Sequence, residues 1–222
     1  MKKNIALIDF GAGNLHSVYK ALKFIGADVE ITKDIKKIES SDAVVFPGVG
    51  AFGAVMSSIR KNNLENVIKN AATSTKPFLG ICVGMQVLFE EGEENPQVKG
   101  LGILKGKVVK FKKAKKIPHI GWNDVTICHP ESFTNVQDKL REGSHMRSFV
   151  ADAPQDDRGK YYFVHSYYVF PEDKNIIAGE TEYDGEIFTS IIKKDNLFAV
   201  QFHPEKSGEA GLEFLKSFVD NI

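Results

Sequence analysis

The stretch KPFLGICVGMQVLFEE, residues 76–91, decides the fold. Pro77 to Ile81 is a short apolar run, small residues surround Cys82, and an amphipathic stretch follows. That order predicts a buried strand turning sharply into a helix, with the Cys82 thiol exposed at the corner. Gly80 and Gly84 permit a steep backbone turn. The N–H of Val83 would then point at the oxygen of a tetrahedral adduct on the Cys82 sulfur, and the helix dipole would favour a thiolate there. From these residues alone Cys82 is either a nucleophile or a buried structural cysteine.

Toward the N-terminus, short apolar runs alternate with helical patterns, as in a parallel sheet with crossover helices. Strands are predicted at Ile5 to Phe10, Asp28 to Thr32 and Ala43 to Phe46, and helices at His16 to Ile25 and, as one long element, Ala54 to Ala72. Right-handed crossovers place the loops after Phe10, Phe46 and Ile81 at one sheet edge, where ligands of open α/β sheets bind. Past residue 98 the strands shorten: Gly106 to Phe111, Tyr161 to Phe170, Ile176 to Glu182, Glu186 to Lys193 and Leu197 to Phe202. Asp184-Gly185 and Asp195-Asn196 read as hairpin turns, so this half is antiparallel or mixed. Ser207 to Phe218 closes the chain as a helix. No linker divides the 222 residues, which implies a single α/β domain over 1–222.

The strand ending at Phe202 leads into His203-Pro204-Glu205. His203 could take the thiol proton and return it to a leaving amine, and Glu205 could orient the imidazole, which makes Cys82, His203 and Glu205 a candidate acyl-transfer set. A surface histidine is the alternative reading. Gly48-Val49-Gly50 at the same edge offers backbone N–H groups to an anion or oxyanion. It lacks the Lys-Ser/Thr of a phosphate loop, and Asp9 to Asn14 lacks the third glycine of a dinucleotide fingerprint, so neither segment reads as a nucleotide site. His165-Ser166-Tyr167 interrupts an apolar strand with groups that could hold the amino-acid part of a substrate. Trp122, the only tryptophan, sits beside Asn123 in a stretch that reads as a loop and could anchor a protein partner or cover the core edge. Cys128 has no strand-to-helix turn around it and reads as a poor nucleophile.

Lys+Arg and Asp+Glu number 29 each, which gives no net field for a polyanion; nucleic acid is a poor partner. The cluster KFKKAKK at 110–116 reads as a solvated face or part of a partner surface. No apolar run approaches the roughly 20 residues of a membrane span, and the start has no signal-peptide core, which implies a soluble cytoplasmic protein. The two cysteines lack the spacing of a zinc site or dithiol. Gly143-Ser144-His145-Met146 has the letters left by a cleaved purification tag, inside the chain, and is assigned no function.

Taken together, G-I-C-x-G-M-Q at 80–86 and Q-F-H-P-E-K-S at 201–207 closely resemble the class I, or triad, glutamine amidotransferases. G-A-G-N at 11–14, P-G-V-G at 47–50 and P-H-I-G-W-N at 118–123 resemble one subfamily, the glutaminase subunits of imidazole glycerol phosphate synthase. The likeness spans the chain except about 125–160. It implies a flavodoxin-like α/β fold with a mostly parallel central sheet and added antiparallel strands. It implies that Cys82 attacks the carboxamide of L-glutamine with His203 and Glu205 in support. Val83 and the Val49-Gly50 loop would hold the oxyanion, and Gly48, Gln86, His165, Ser166 and Tyr167 the substrate. It implies no cofactor and no metal. Ammonia would pass to a (β/α)8-barrel cyclase subunit in a heterodimer, contacted by Asn14, Trp122, Asn123 and Lys206, in histidine biosynthesis. A paralogous subunit feeding another synthetase, such as one aminating a surface-polysaccharide sugar, is the alternative. A non-catalytic relative is disfavoured because the triad is complete, and a peptidase or thioesterase because Gln86 and the two-glycine loop suit a small carboxamide.

Overall fold

Two strands are buried at every position, β3 (Ala43–Gly48) and β4 (Phe78–Cys82), because parallel strands covered on both faces need continuous apolar runs. This computed structural model describes residues 3–11, 14–128 and 160–222; the segment Gly143 to Met146 lies outside them. The other N-terminal strands are β1 (Asn4–Ile8) and β2 (Asp28–Thr32). The second half contributes β5 (Glu91–Gly92), β6 (Gly106–Lys110), β7 (His119–Asp124), β8 (Thr126–Ile127), β9 (Lys160–His165) and β10 (Tyr167–Pro171). It ends with β11 (Ile177–Tyr183), β12 (Glu186–Lys194) and β13 (Leu197–Val200). The main sheet runs β2-β1-β3-β4-β13-β12-β10-β6-β5, with β11 and β8 branching from β12. From β2 to β13 all pairings are parallel, so the carboxyl ends of β1, β3, β4 and β13 share one edge. The pairings through β12, β10, β11 and β6 are antiparallel. A separate two-stranded sheet, β7 with β9, lies beside this body.

Helix α1 (Leu15–Phe24) buries Val18, Ala21 and Leu22, and α6 (Gly208–Asp220) buries Phe214, Leu215 and Phe218, as the helical spacing of their apolar residues requires. The long helix expected over 54–72 is two, α3 (Phe52–Lys61) and α4 (Glu65–Thr73). Asn63 takes φ 56° between them, a left-handed stop that asparagine tolerates. Helix α2 (Ile35–Ser40) was not expected; its start is fixed by Asp34, whose carboxylate accepts from the backbone N–H groups of Lys36 and Lys37. The strand expected over 161–170 breaks at Ser166 into β9 and β10, which belong to different sheets. The Pro118 to Asn123 stretch, expected as a loop, carries β7. Among the described residues no helix is long and apolar enough to cross a membrane.

Candidate active site

The turn after β4 carries the sharpest feature of the backbone. Cys82 has φ 55° and ψ −113°, a conformation that costs a non-glycine residue about 1–3 kcal/mol, and it starts a helix of one turn, α5 (Val83–Gln86). The strain is held by close packing of the backbone. The chain at Gly84 passes so near Phe46 that a methyl group there would overlap the Phe46 carbonyl oxygen. A methyl on Gly48 would sit 2.5 Å from the backbone nitrogen of Gly84. The dipole of so short a helix is smaller than the sequence suggested.

His203 follows β13 and is fixed from three sides. Its N–H donates to the Tyr162 carbonyl at 2.9 Å, and its own carbonyl accepts from Ser207 Oγ at 2.6 Å. That hydroxyl oxygen in turn accepts from Tyr162 N–H at 3.0 Å, which ties the histidine loop to β9. Pro204 opens a single tight turn, Pro204–Lys206, which brings Glu205 back toward the imidazole. Glu205 Oε1 lies 2.9 Å from His203 Nδ1, with both side chains 2% exposed. A buried contact of this kind fixes ring orientation and tautomer together. His203 Nε2 and Glu205 Oε2 have no hydrogen-bond partner among the described residues.

Burial pushes the His203 imidazole down, but the negative charge and close contact of Cys82, followed by the bond to Glu205, outweigh it and raise the group to about 10. His203 is thus set up as an imidazolium, a proton donor beside Cys82. Cys128 differs: burial and then Glu180 raise its thiol to about 11, so it stays protonated and inert.

A cavity of about 460 Å³ opens over Cys82. Val83, Val49 and Gly50 line it on one side, and Gln86, His165, Ser166 and Tyr167 on another. His203, Asn14 and Lys206 also reach it, the last two exposed. Lys206 Nζ stands 5.7 Å from the ring centre of Tyr162. Gly48 is set beneath this cavity, in a small void shared with His203 and Glu205. Trp122 and Asn123 do not line the cavity. Trp122 is 54% exposed and packs edge-on against Tyr162, whereas Asn123 turns inward and donates to the Glu182 carbonyl at 2.8 Å. Among the described residues no three His, Cys, Asp or Glu side chains converge as metal ligands do.

Sequence reasoning assigned no role to Glu94, which lines the cavity, or to Gln201, which is buried behind Cys82. Glu94 Oε2 accepts from Phe52 N–H at 2.7 Å, anchoring the start of α3 just after the Val49-Gly50 loop. In the sequence it is lost among Glu90, Glu91 and Glu93, which look like a solvated face. Gln201 is fully buried and its Nε2 lies 3.6 Å from Cys82 Sγ. A polar residue inside an otherwise apolar run, two positions before the histidine, was the available signal.

The sequence profile of "Glutamine amidotransferase class-I" matches residues 6–222. The chain belongs to the class I glutamine amidotransferases. This amidotransferase is 45% identical to "Imidazole glycerol phosphate synthase subunit HisH" of Methanocaldococcus jannaschii, over 97% of this chain and 98% of that protein. It is 46% identical to the subunit of the same name from Pyrococcus furiosus, over 96% and 97% of the two chains. Among solved structures it superimposes on PurLQS from Thermotoga maritima with TM-score 0.69 at 18% identity, over 100% and 99% of the chains. A glutamine amidotransferase from the same organism gives TM-score 0.60 at 14% identity, over 99% and 84%. These two structures bear on the α/β fold alone.

The amidotransferase also carries a buried histidine pair. His165 Nδ1 donates to the Tyr167 carbonyl at 2.9 Å, which leaves its Nε2 to accept from His119 Nδ1 at 3.3 Å. His119 is stacked between Phe163 and Tyr183, with ring centres at 4.9 and 3.9 Å. Burial lowers His119 to about 4 and His165 to about 3, so both are neutral at pH 7. Below the ordinary value of 6.5 the unfolded chain binds protons at these positions and the folded one does not, so stability falls as the pH drops. The urea midpoint should therefore decline steadily from about pH 6.5 to 4, and His119→Phe should flatten that decline.

Proposed function

We propose that this chain is the glutaminase subunit of imidazole glycerol phosphate synthase, which hydrolyses L-glutamine and passes ammonia to a cyclase subunit. The observation that carries it is the His203 imidazole, buried against the Glu205 carboxylate and charged by Cys82, on the wall of a cavity large enough for an amino acid. The near full-length likeness to subunits named for that synthase selects among amidotransferases.

In this reading the Cys82 thiolate attacks the glutamine carboxamide carbon, and the negative charge moves from sulfur to oxygen. Val83 N–H and an N–H of the Val49-Gly50 loop hold that oxyanion. Imidazolium gives its proton to the leaving amine, ammonia departs, and the C–N bond is replaced by a thioester. Neutral His203 then takes a proton from water as the hydroxide adds. Collapse expels glutamate and restores the thiolate and imidazolium. No cofactor enters these steps. Gln86 spends its amide hydrogens within the protein and has its Oε1 left to accept from glutamine. Glu94 supplies a carboxylate for the ammonium group, and Ser166, Tyr167 and the face of His165 complete the wall. Gly48 acts beneath them by admitting the turn at Gly84.

Ammonia protonated by bulk water would no longer be a nucleophile, so a partner must seal the mouth. That partner is a (β/α)8-barrel cyclase, in a cytoplasmic heterodimer. Asn14 and Lys206 at the cavity rim and Trp122 on β7 meet it, and Asn123 supports them from within. The test is glutamate release with and without a cyclase subunit of the same cell and its nucleotide substrate. Stimulation of about tenfold or more, equivalent to about 1.4 kcal/mol of barrier, is expected. Glutamate release that never responds to that cyclase would instead assign the chain to another synthetase.

A further inference from the structure

A line of hydrogen bonds ends on the nucleophile. The Tyr167 carbonyl accepts from Gln86 Nε2 at 2.9 Å, and the same nitrogen donates to Gln201 Oε1 at 3.0 Å. Gln201 Nε2 in turn donates to Cys82 Sγ at 3.6 Å. The orientation of both amides follows from the one member that cannot rotate. A backbone carbonyl only accepts, so Gln86 must present its NH₂ group to it. Both hydrogens of Gln86 are then used, and Gln201 must turn its oxygen toward Gln86 and its NH₂ group toward the sulfur. A flip of Gln201 would set two NH₂ groups face to face and leave its oxygen against the thiolate. The Tyr167 carbonyl is itself held by His165 Nδ1 at 2.9 Å, and His165 by His119, so the line is anchored in β7.

Gln201 is completely buried, beside Cys82, which is 3% exposed. A neutral thiol accepts hydrogen bonds weakly and would be packed as well by leucine or methionine. Burying an amide here is compensated only if its N–H meets a strong acceptor, which a thiolate is. We propose that Gln201 is a further catalytic residue of this site: its amide N–H holds the Cys82 thiolate in the attacking position, and Gln86 keeps the amide turned that way. The proposal rests on Cys82 being the glutaminase nucleophile.

Loss of one donor to a thiolate has a signature that loosened packing does not share. The sulfur becomes more basic, so thiolate appears at higher pH, and it also becomes more nucleophilic once formed. Cys82 alkylation by iodoacetamide, located by mass spectrometry in the full chain with Cys128 as internal reference, reads both. In Gln201→Met the curve of rate against pH should move up by about one unit. Its plateau should rise about threefold, from the dependence of thiolate reactivity on basicity. The acid limb of glutamate release in the complex with cyclase should move by the same amount. Gln86→Met, which leaves Gln201 free to rotate, should give a smaller shift in the same direction, and Gln201→Leu repeats the test if the methionine variant folds poorly.

An unmoved curve, or a lowered plateau with no shift, overturns the role of Gln201 and leaves the glutaminase reading intact so long as the parent chain releases glutamate. If Cys82→Ala still releases glutamate, the nucleophile assignment falls and the proposal falls with it.

Discussion

Cys82→Ala should lose glutamate release by more than about 10⁴-fold while the fold is kept, because no other described thiol lies at the site and the remaining groups can only polarise and bind. The same variant reports on the base. With the sulfur gone, burial still depresses His203 and only Glu205 opposes it, so the imidazole should titrate well below its parent position of about 10. Carbon-labelled histidine NMR would follow this titration directly. A raised histidine stabilises the folded state fully below its ordinary value of 6.5, and that contribution is lost as the pH climbs through the folded value. The alkaline loss of stability should therefore be smaller, and complete at lower pH, in Cys82→Ala than in the parent. An unchanged His203 titration would show that sulfur and ring are not coupled.

Gly84→Ala should be nearly as damaging, by a different route. The added methyl would overlap the Phe46 carbonyl in the buried strand β3, and neither backbone can yield without unpairing β3 from β4. A cost of roughly 3–5 kcal/mol is expected, equivalent to a fall in melting temperature of about 10 °C for a chain of this size. Activity should fall with it, since the same contact holds the strained corner at Cys82. Gly102→Ala is the control. Gly102 also has positive φ, 65°, but open space around it, so only the backbone penalty of about 1–2 kcal/mol applies. Equal melting temperatures for the two variants would mean that close packing does not hold the elbow.

The corner was legible because its chemistry is local. An apolar run, a cysteine and flanking glycines are enough to specify a buried strand that turns sharply, and Cys82 sits at that turn. Asp184-Gly185 was legible for the same reason, with φ of 56° and 81° at the two turn residues. β7 was not, since it inverts the usual alternation: polar His119 and Asn123 face inward, and Ile120 and Trp122 face out. An inward histidine becomes intelligible only when its partner His165, on another strand, is known. Gln201 and Glu94 were hidden likewise, because each draws its meaning from a residue far away in sequence, Cys82 for the first and Phe52 for the second. The split between α3 and α4 was within reach, as Asn62-Asn63 is a helix-stopping pair, and so was α2, announced by the cap at Asp34.

The inverted strand β7 has a consequence for how such a chain can change. Its inward letters, at 119 and 123, are tied by hydrogen bonds to His165 and to the Glu182 carbonyl. Its outward letters, at 120, 122 and 124, touch solvent and are free of that constraint. One six-residue strand thus interleaves two texts, one that must stay fixed for the chemistry and one that can be rewritten to suit a different neighbour.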